Sequence, residues 1–488
     1  MMTGEQYLES LRAMKTSVYI YGRPDPDYYS HPAIAPAVNA VRETYELAAD
    51  PARDPEIHSL IVAESDLTGG RINRFNKIVQ SKDDLAMRMK LQRAMMRRTG
   101  GCFGGRCVAG AVINALWSVT YDVDAEKGTP YHDRFRAFMK MVQEKDLTVS
   151  GNITDAKGDR SLPPHQQPDP DLFVRIEEIR PDGIVVNGAK LQQSGAPITH
   201  ERLIVPTTAL GPKDESYAVA FAVPGDAPGV IHVNDTACSN AKFSVMDAED
   251  IGNAAFGMHQ SAHIIFDHVF IPNERVFLCG EWKATRDMVH RFSDLQRLAS
   301  ASCRCGYIDL CMGAAAAMAD YNGVAGKAHV QEKLVDMSVD AETLYGIVAG
   351  SASLASPTPS GMYLPETLTV NAAKLYMNEA ILKTGQRLAE IGGGILVTRP
   401  SGRDLAVPVV GDLLKKYHQG RAGTDTMDRI KMARLSESLS GLSGPTTILS
   451  VIAAGPPATQ RLNFRLMTDF GRNRRAAERL AGILPGKK

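Results

Sequence analysis

The apolar period of this chain changes twice, and that change limits the fold more than any single motif. Residues 1–145 carry helical spacing. The segment SKDDLAMRMKLQRAMMRR offers a serine cap, acidic residues in the first turn and basic residues in the last, as a helix dipole prefers. YHDRFRAFMKMVQEKDL places Phe135, Phe138, Met139 and Val142 on one helical face. From 146 to 280 the runs become short and β-like. DLFVRIEEIR and IVVNGAKL are joined by a Pro-Asp-Gly turn, with Asn187-Gly188 as a further break. YAVAFAVP, GVIHVN and HIIFDHVFIPNERVFL follow, predicting a closed or sandwich-like antiparallel unit. From 281 to 488 the period returns to long helices, beginning with RFSDLQRLASASCRCGYIDLCMGAAAAMADY, and a bundle is expected. The order is helices, strands, helices: an α+β chain in three parts.

The charge excludes several functions. Lys and Arg total 55 against 55 Asp and Glu, whereas a nucleic-acid or anionic-membrane protein carries a basic footprint. No run approaches the roughly 18–20 apolar residues that span a bilayer. MMTGEQYLESLRAMKT reads as a charged amphipathic helix, lacking the continuous apolar stretch of a secretion signal. Seven cysteines in 488 residues make no disulfide scaffold, and reduced thiols in the cytoplasm are expected.

Nucleotide and hydrolase fingerprints are absent: there is no G-x-G-x-x-G, no G-x-x-x-x-G-K-[ST], no H-E-x-x-H and no G-x-S-x-G. His259 and His263 lie four apart in a strand-like run, roughly 13 Å at about 3.3 Å per residue, too far to share a metal. Cys102 and Cys107 in GGCFGGRCVAG, with Cys303 and Cys305 in SASCRCG, supply thiols from two remote places, as an iron–sulfur cluster requires. On a helix Gln296, Ser300 and Cys303 share a face while Cys305 turns away, so spacing yields no fourth ligand and favours buried thiols. The junction SGNITDAKGDRSLPPH, with Lys157, Asp159 and Arg160, reads as an interdomain loop that could lie along a phosphate-bearing cofactor. Gly392-Gly393-Gly394 reads as a turn after a helix.

A set of segments in fixed order carries a family resemblance: GEQYLESLR, VYIYG, HPAIAPAVNAVRETYELA, INRFNKIVQSKDDL, TDAKGDRS, DPDLFVRI, DGIVVNGAK, IIFDHVFIPNERVFLCGEW, AAAMADYNG and GGGILVTRPSGRDL. The chain resembles the 4-hydroxyphenylacetate 3-monooxygenase (hydroxylase component) family, and within it the 4-hydroxybutyryl-CoA dehydratase branch. The resemblance implies an acyl-CoA dehydrogenase-like fold: a helical domain (1–145), a middle β-barrel (146–280) and a C-terminal four-helix bundle (281–488). It also implies FAD and a homotetramer built from two dimers. Ile153, Thr154, Asp155, Lys157, Gly158, Asp159 and Arg160, with Gln192, Gln193 and Ser194, would then contact the flavin.

By the same resemblance Cys102, Cys107 and Cys303 would be three ligands of a [4Fe–4S] cluster. The dehydratase's histidine ligand falls at Gln296, its active-site tyrosine at Ser300, its two glutamates at Ser261 and Leu449, and its lysine at Arg304. In the monooxygenase branch, Arg106 matches the arginine that positions the phenol, while the tyrosine and histidine fall near Gly110 and at Gly151. Flavin segments without the dehydration acid and base imply a flavin monooxygenase that takes reduced FAD from a separate reductase and acts on a small aromatic or acyl substrate. Arg106 would polarise flavin or substrate; Gln296, Ser300, Ser261 and Arg304 would line the pocket. The alternatives are an acyl-CoA lyase or isomerase with FAD and an altered cluster, and a non-catalytic flavin-binding paralogue.

Overall fold

The computed structural model describes residues 1–236, 241–441 and 445–483. The N-terminal part holds α1 (Gly4–Ala13), α2 (Ala35–Ala49), α3 (Pro55–Ile61), α4 (Lys82–Thr99), α5 (Arg106–Lys127) and α6 (Tyr131–Glu144). Thr3 and Gln6 close a capping box on α1. Ser81 accepts from the Asp84 amide at 3.0 Å and starts α4, as its sequence predicts. Phe135, Phe138, Met139 and Val142 are all buried on α6.

This part is not purely helical. β1 (Ser17–Ile20) and β2 (Arg23–Pro24) join the sheet of the middle part, and β3 (Val62–Glu64) pairs with β4 (Arg71–Asn73). The middle part adds β5 (Val149–Asn152), β6 (Arg175–Arg180), β7 (Gly183–Ser194), β8 (Glu201–Ile204), β9 (Val219–Pro224), β10 (Val230–Asn234), β11 (Ser261–Pro272) and β12 (Val276–Cys279). Among the described residues they make two sheets, ordered β2-β1-β10-β11-β7-β6 and β12-β9-β8-β5, rather than one closed barrel. Two pairings, β1 with β10 and β5 with β8, are parallel.

One core lies between the sheets. Val186, Ile264 and Phe266 from the first meet Ile204, Phe221 and Val223 from the second, with Phe221 and Phe266 edge to face at 5.6 Å. The Pro181-Asp182 turn joins β6 to β7 as expected, pairing Arg180 with Gly183. Asn187-Gly188 does not break β7. Gly188, at φ +123°, lets the backbone of Phe173 and Val174 pass, and its β-carbon would stand 2.5 Å from the Phe173 carbonyl oxygen.

The C-terminal part holds α7 (Ala284–Tyr321), α8 (Ala328–Ser353), α9 (Thr367–Gly392), three short helices α10 (Ile395–Thr398), α11 (Gly402–Ala406) and α12 (Val410–Tyr417), then α13 (Thr426–Ser440) and α14 (Pro445–Ile452). α7, α8, α9 and α13 pack on one another, and α7 also packs on α4 and α5. That second contact brings α7 against the cysteine segment of the N-terminal part. Gly393, at φ +70°, ends α9 with its amide on the Ala389 carbonyl. No helix among the described residues is long and apolar enough to cross a membrane.

Candidate functional site

The two segments assigned to a flavin lie side by side and are tied by one side chain. Gln193 accepts the Ile153 amide at 3.1 Å through Oε1, and its Nε2 donates to the carbonyls of Thr154 at 3.0 Å and Leu191 at 2.5 Å. A buried cation completes the tie. Lys190 donates to the Ile153 and Val205 carbonyls, both at 2.8 Å, and to Asp155 Oδ1 at 2.5 Å. Beyond this anchor Lys157, Gly158, Asp159 and Arg160 are exposed. Asp159 folds back on Ser161, and its own amide donates to Gln167. The loop thus has a fixed base and an open cationic tip, a form that suits a polar, phosphate-bearing group. Gln192 sits at φ +58° and its amide meets His263 Nδ1 at 3.5 Å.

Ser194, at the end of β7, pairs across the sheet with Ser261 of β11. Its hydroxyl lies 3.3 Å from His259 Nε2, and the Ser261 hydroxyl bonds Asp235. Burial, helped by the nearby Arg304 guanidinium, pushes the His259 imidazole down to about 3, so it stays neutral in the folded protein. The Gly104-Gly105 turn closes on this strand end. Both glycines sit at φ +69°, and a β-carbon on Gly105 would stand 2.4 Å from the Ser194 carbonyl oxygen.

From the other side comes α7, presenting Gln296, Ser300, Cys303 and Arg304. Gln296 is buried, bonds the Cys107 thiol and leaves its Oε1 without a partner. Such an orphaned acceptor marks a place where a polar group is still wanted. Ser300 donates to the Arg297 carbonyl at 3.3 Å. Arg304 reaches the Cys303 sulfur at 3.4 Å and the Ser450 hydroxyl at 2.6 Å. Cys305, as the helical geometry requires, points elsewhere, toward Arg93 and Asp309.

The thiols do not form the expected metal centre. Cys102, Cys107 and Cys303 feel one another's charge and so share a neighbourhood, yet among the described residues no three His, Cys, Asp or Glu side chains gather as metal ligands. Burial pushes Cys102 up to about 12, Cys303 up to about 11, and Cys107 upward. The Cys102 sulfur takes the Gly105 amide and the Cys303 sulfur takes Arg304. An amide, Gln296, stands where a fourth ligand would be needed. Three thiols and an amide leave a [4Fe–4S] cluster one ligand short.

Arg106 begins α5 and packs into the N-terminal core. It is 1 % exposed, donates to Thr44 Oγ1 at 2.6 Å, and is stacked between Tyr45 and Phe75 at 5.1 and 4.9 Å. Those contacts root the guanidinium in the N-terminal core, where its Nη2 is buried without a partner. The cations beside Cys107 are Arg304 and, missed in the sequence, Arg88. Arg88 donates to the carbonyls of Gly110 at 3.1 Å and Cys107 at 3.3 Å. An arginine inside an amphipathic helix gives no signal of this. Lys190 gave a weak one, as a lysine in a buried strand.

Comparison with known proteins gives the chain relatives along nearly its full length. Residues 3–278 match the 4-hydroxyphenylacetate 3-hydroxylase N-terminal family and residues 285–482 its C-terminal counterpart. The chain is 39% identical to the 4-hydroxybutyryl-CoA dehydratase/vinylacetyl-CoA-Delta-isomerase of Clostridium aminobutyricum, over 99% of this chain and 100% of that one. It is 26% identical to the oxygenase component of 4-hydroxyphenylacetate 3-monooxygenase from Thermus thermophilus, over 91% and 89%. Among solved structures, an oxygen-tolerant archaeal 4-hydroxybutyryl-CoA dehydratase from N. maritimus superposes with TM-score 0.95 at 36% identity, covering 100% of this chain and 96% of that one. The oxygenase component of 4-hydroxyphenylacetate 3-monooxygenase, solved with FAD, shares the fold at TM-score 0.86 and 24% identity, covering 99% of each.

Proposed function

The chain belongs to the 4-hydroxyphenylacetate 3-hydroxylase family, and on that premise we propose that it is a FAD-dependent oxidoreductase of the two-component monooxygenase type. In this reading it takes reduced FAD from a separate reductase and uses oxygen on a small aromatic or acyl substrate. The flavin, when bound, supplies the redox chemistry. The protein's part is to hold and orient. The loop from Ile153 to Arg160 and the strand end from Gln192 to Ser194 hold the flavin, with Gln193 and Lys190 fixing the loop base.

The observation that carries this reading is the make-up of the ring around Ser194. It offers the Ser261 hydroxyl, a neutral His259 and the nearby Arg304 guanidinium. Asp235, the carboxylate beside Ser261, is already bonded to that hydroxyl. Such a ring binds a substrate and stabilises developing negative charge. Removing a hydroxyl together with an unactivated proton would call for an acid and a base at the reacting carbons. The test is oxygen uptake by the FAD-loaded protein with a flavin reductase and 4-hydroxyphenylacetate or an acyl-CoA, with labelled oxygen traced into product. Uptake that yields only hydrogen peroxide for every substrate would sink the reading.

A second reading, an acyl-CoA lyase or isomerase with FAD, is favoured by the 39% full-length identity to the Clostridium enzyme and by the shared neighbourhood of three thiols. Oxygen-independent turnover of 4-hydroxybutyryl-CoA would establish it. Bound flavin without turnover in either assay would leave the flavin-retaining paralogue. We infer a cytoplasmic homotetramer in each case. Large apolar side chains left exposed on the C-terminal part, Val409, Tyr417, Leu466 and Phe470 among them, support an assembly face there.

A further inference from the structure

Two prolines limit how the outer half of the flavin-holding loop can be fastened. Pro163 and Pro164 carry no amide hydrogen, and Pro164 opens a single 3₁₀ turn, Pro164–Gln166. Gln167, buried beside it, closes the loop on itself. Its Oε1 takes the Asp159 amide at 3.0 Å, and its Nε2 donates to the carbonyls of Asp159 at 2.8 Å and Leu162 at 3.0 Å. The stretch from Asp159 to Gln167 is therefore a closed ring.

One residue ties this ring to the rest of the protein. His165 donates its amide to Asp214 Oδ1 at 3.0 Å, and its imidazole Nδ1 donates to the same oxygen at 2.7 Å. Between Ala156 and Gln167, every other hydrogen bond among the described residues stays inside the loop. Close packing does not replace the tie: a cavity of about 10 Å³, room for one water, lies among Pro164, Thr208 and Leu210.

The acceptor is built for this role. Asp214 lies in the connection between β8 and β9, is 4 % exposed, and has its Oδ2 held by the Gly211 amide at 3.1 Å. Burial alone would raise its carboxyl. The His165 and Gly211 donors outweigh burial and hold the group below the ordinary aspartate value, so it is a carboxylate at neutral pH. The tautomer of the imidazole follows from its neighbours: Nδ1 carries the proton given to Asp214, while Nε2 faces the Gln166 amide at 3.3 Å.

The same connection fixes the loop base, where Thr207 Oγ1 accepts the Asp155 amide at 3.1 Å and donates to the Ile153 carbonyl. Both ends of the loop are thus held by one segment, and Lys157 and Arg160 stand exposed between them. We propose that His165 is a positioning residue for the cofactor: its amide and imidazole N–H pin the loop on Asp214, and that pin sets where Lys157 and Arg160 meet a phosphate-bearing group. The inference rests on the flavin reading for the identity of that group, while the pin itself stands on the loop geometry.

The experiment is limited trypsin digestion of the full chain, which reads cleavage after Lys157 and Arg160 at the loop tip, beside FAD titration by flavin fluorescence. In His165→Leu, cleavage there is expected to be about fivefold faster and the FAD dissociation constant about tenfold higher. His165→Asn keeps a side-chain N–H for Asp214 and is expected to bring both within about twofold of the parent. Asp214→Ala is expected to match His165→Leu, and the double variant to add nothing further, as for two residues that act through one bond. Melting temperatures of the flavin-free variants identify any that fail to fold, and the asparagine rescue is then decisive. FAD affinity in His165→Leu within twofold of the parent would overturn the positioning role, whatever the cleavage rate. So would an asparagine variant as defective as the leucine one. A parent that binds no FAD, with the cleavage differences intact, would overturn the flavin reading and keep the pin.

Discussion

Arg88 and Gly110 share one volume. The guanidinium donates to the Gly110 carbonyl at 3.1 Å, and a β-carbon on residue 110 would lie 1.9 Å from Arg88 Nη2. Arg88 is 3 % exposed and has a second bond to the Cys107 carbonyl, so it has nowhere easy to go. Gly110→Ala is expected to destabilise the protein by about 1–3 kcal/mol, and Gly110→Tyr by more, in equilibrium urea unfolding. An alanine variant as stable as the parent would show that Arg88 is free to move. The same packing explains why no aromatic hydroxyl reaches the site from position 110.

Gln193 holds both flavin segments. Gln193→Ala removes the acceptor of the Ile153 amide and the donor to Thr154 at one stroke. FAD affinity, read by quenching of flavin fluorescence, is expected to fall roughly tenfold, about 1.4 kcal/mol, with little change in the melting temperature of the flavin-free protein. Unchanged affinity would mean that the loop base is held by Lys190 alone.

Acid lability follows from the buried imidazoles, His200 and His259 among them. Burial pushes His200 down to about 4, with Arg202 adding to it, and His259 down to about 3. Below the ordinary histidine value near 6.5 the unfolded chain takes up protons that the folded one refuses, so stability falls as pH drops toward 4 and then 3. Asp294, raised to about 6 by burial, acts in the opposite sense between about 6 and the ordinary aspartate value near 3.9. Burial also lowers His232 and His132 and raises Asp146, so four histidines stand against two aspartates and the balance is a net loss. The melting temperature is expected to decline from pH 6.5 to pH 4, and more shallowly in His259→Asn. An identical slope in that variant would remove His259 from the account.

Thiol chemistry gives a fourth check. With Cys102 and Cys303 pushed up to about 12 and 11, alkylation of the folded protein at pH 8 is expected to be far slower than for the same thiols in denaturant. Anaerobically purified protein is expected to hold no stoichiometric iron. Four irons per chain, the content of a [4Fe–4S] cluster, with labile sulfide would overturn the assignment of these cysteines as packing groups.

What the sequence disclosed and what it hid follow one rule: signals whose partners are near in the chain were readable. The Ser81 cap lies three residues from the amide it accepts, and the Pro181-Asp182 turn joins neighbouring strands. The grouping of Gln296, Ser300 and Cys303 on one face of α7 was likewise readable from helical spacing. Arg88 and Lys374 were not readable as buried, and Lys190 only weakly so, because the carbonyls they serve come from other elements. β1 was hidden for the same reason: four residues with a buried-exposed alternation resemble any loop until their partner is known. The break expected at Asn187-Gly188 failed because a glycine that admits a crossing backbone looks, in sequence, like one that turns.

The pairing of Ser17 with Ile231 has a consequence for how the chain is made. β1 leaves the ribosome early and waits, as a nascent segment, until β10 has been synthesised. The Tyr7 hydroxyl, held at 2.7 Å by the Ile198 carbonyl, waits almost as long. Contacts so distant in sequence slow folding and leave apolar edges uncovered in the interval. Val18 and Ile20, buried once the sheet is complete, are bare until then, so α1 and β1 are the natural grip for a chaperone, and truncating the chain before β10 should send the product to aggregates.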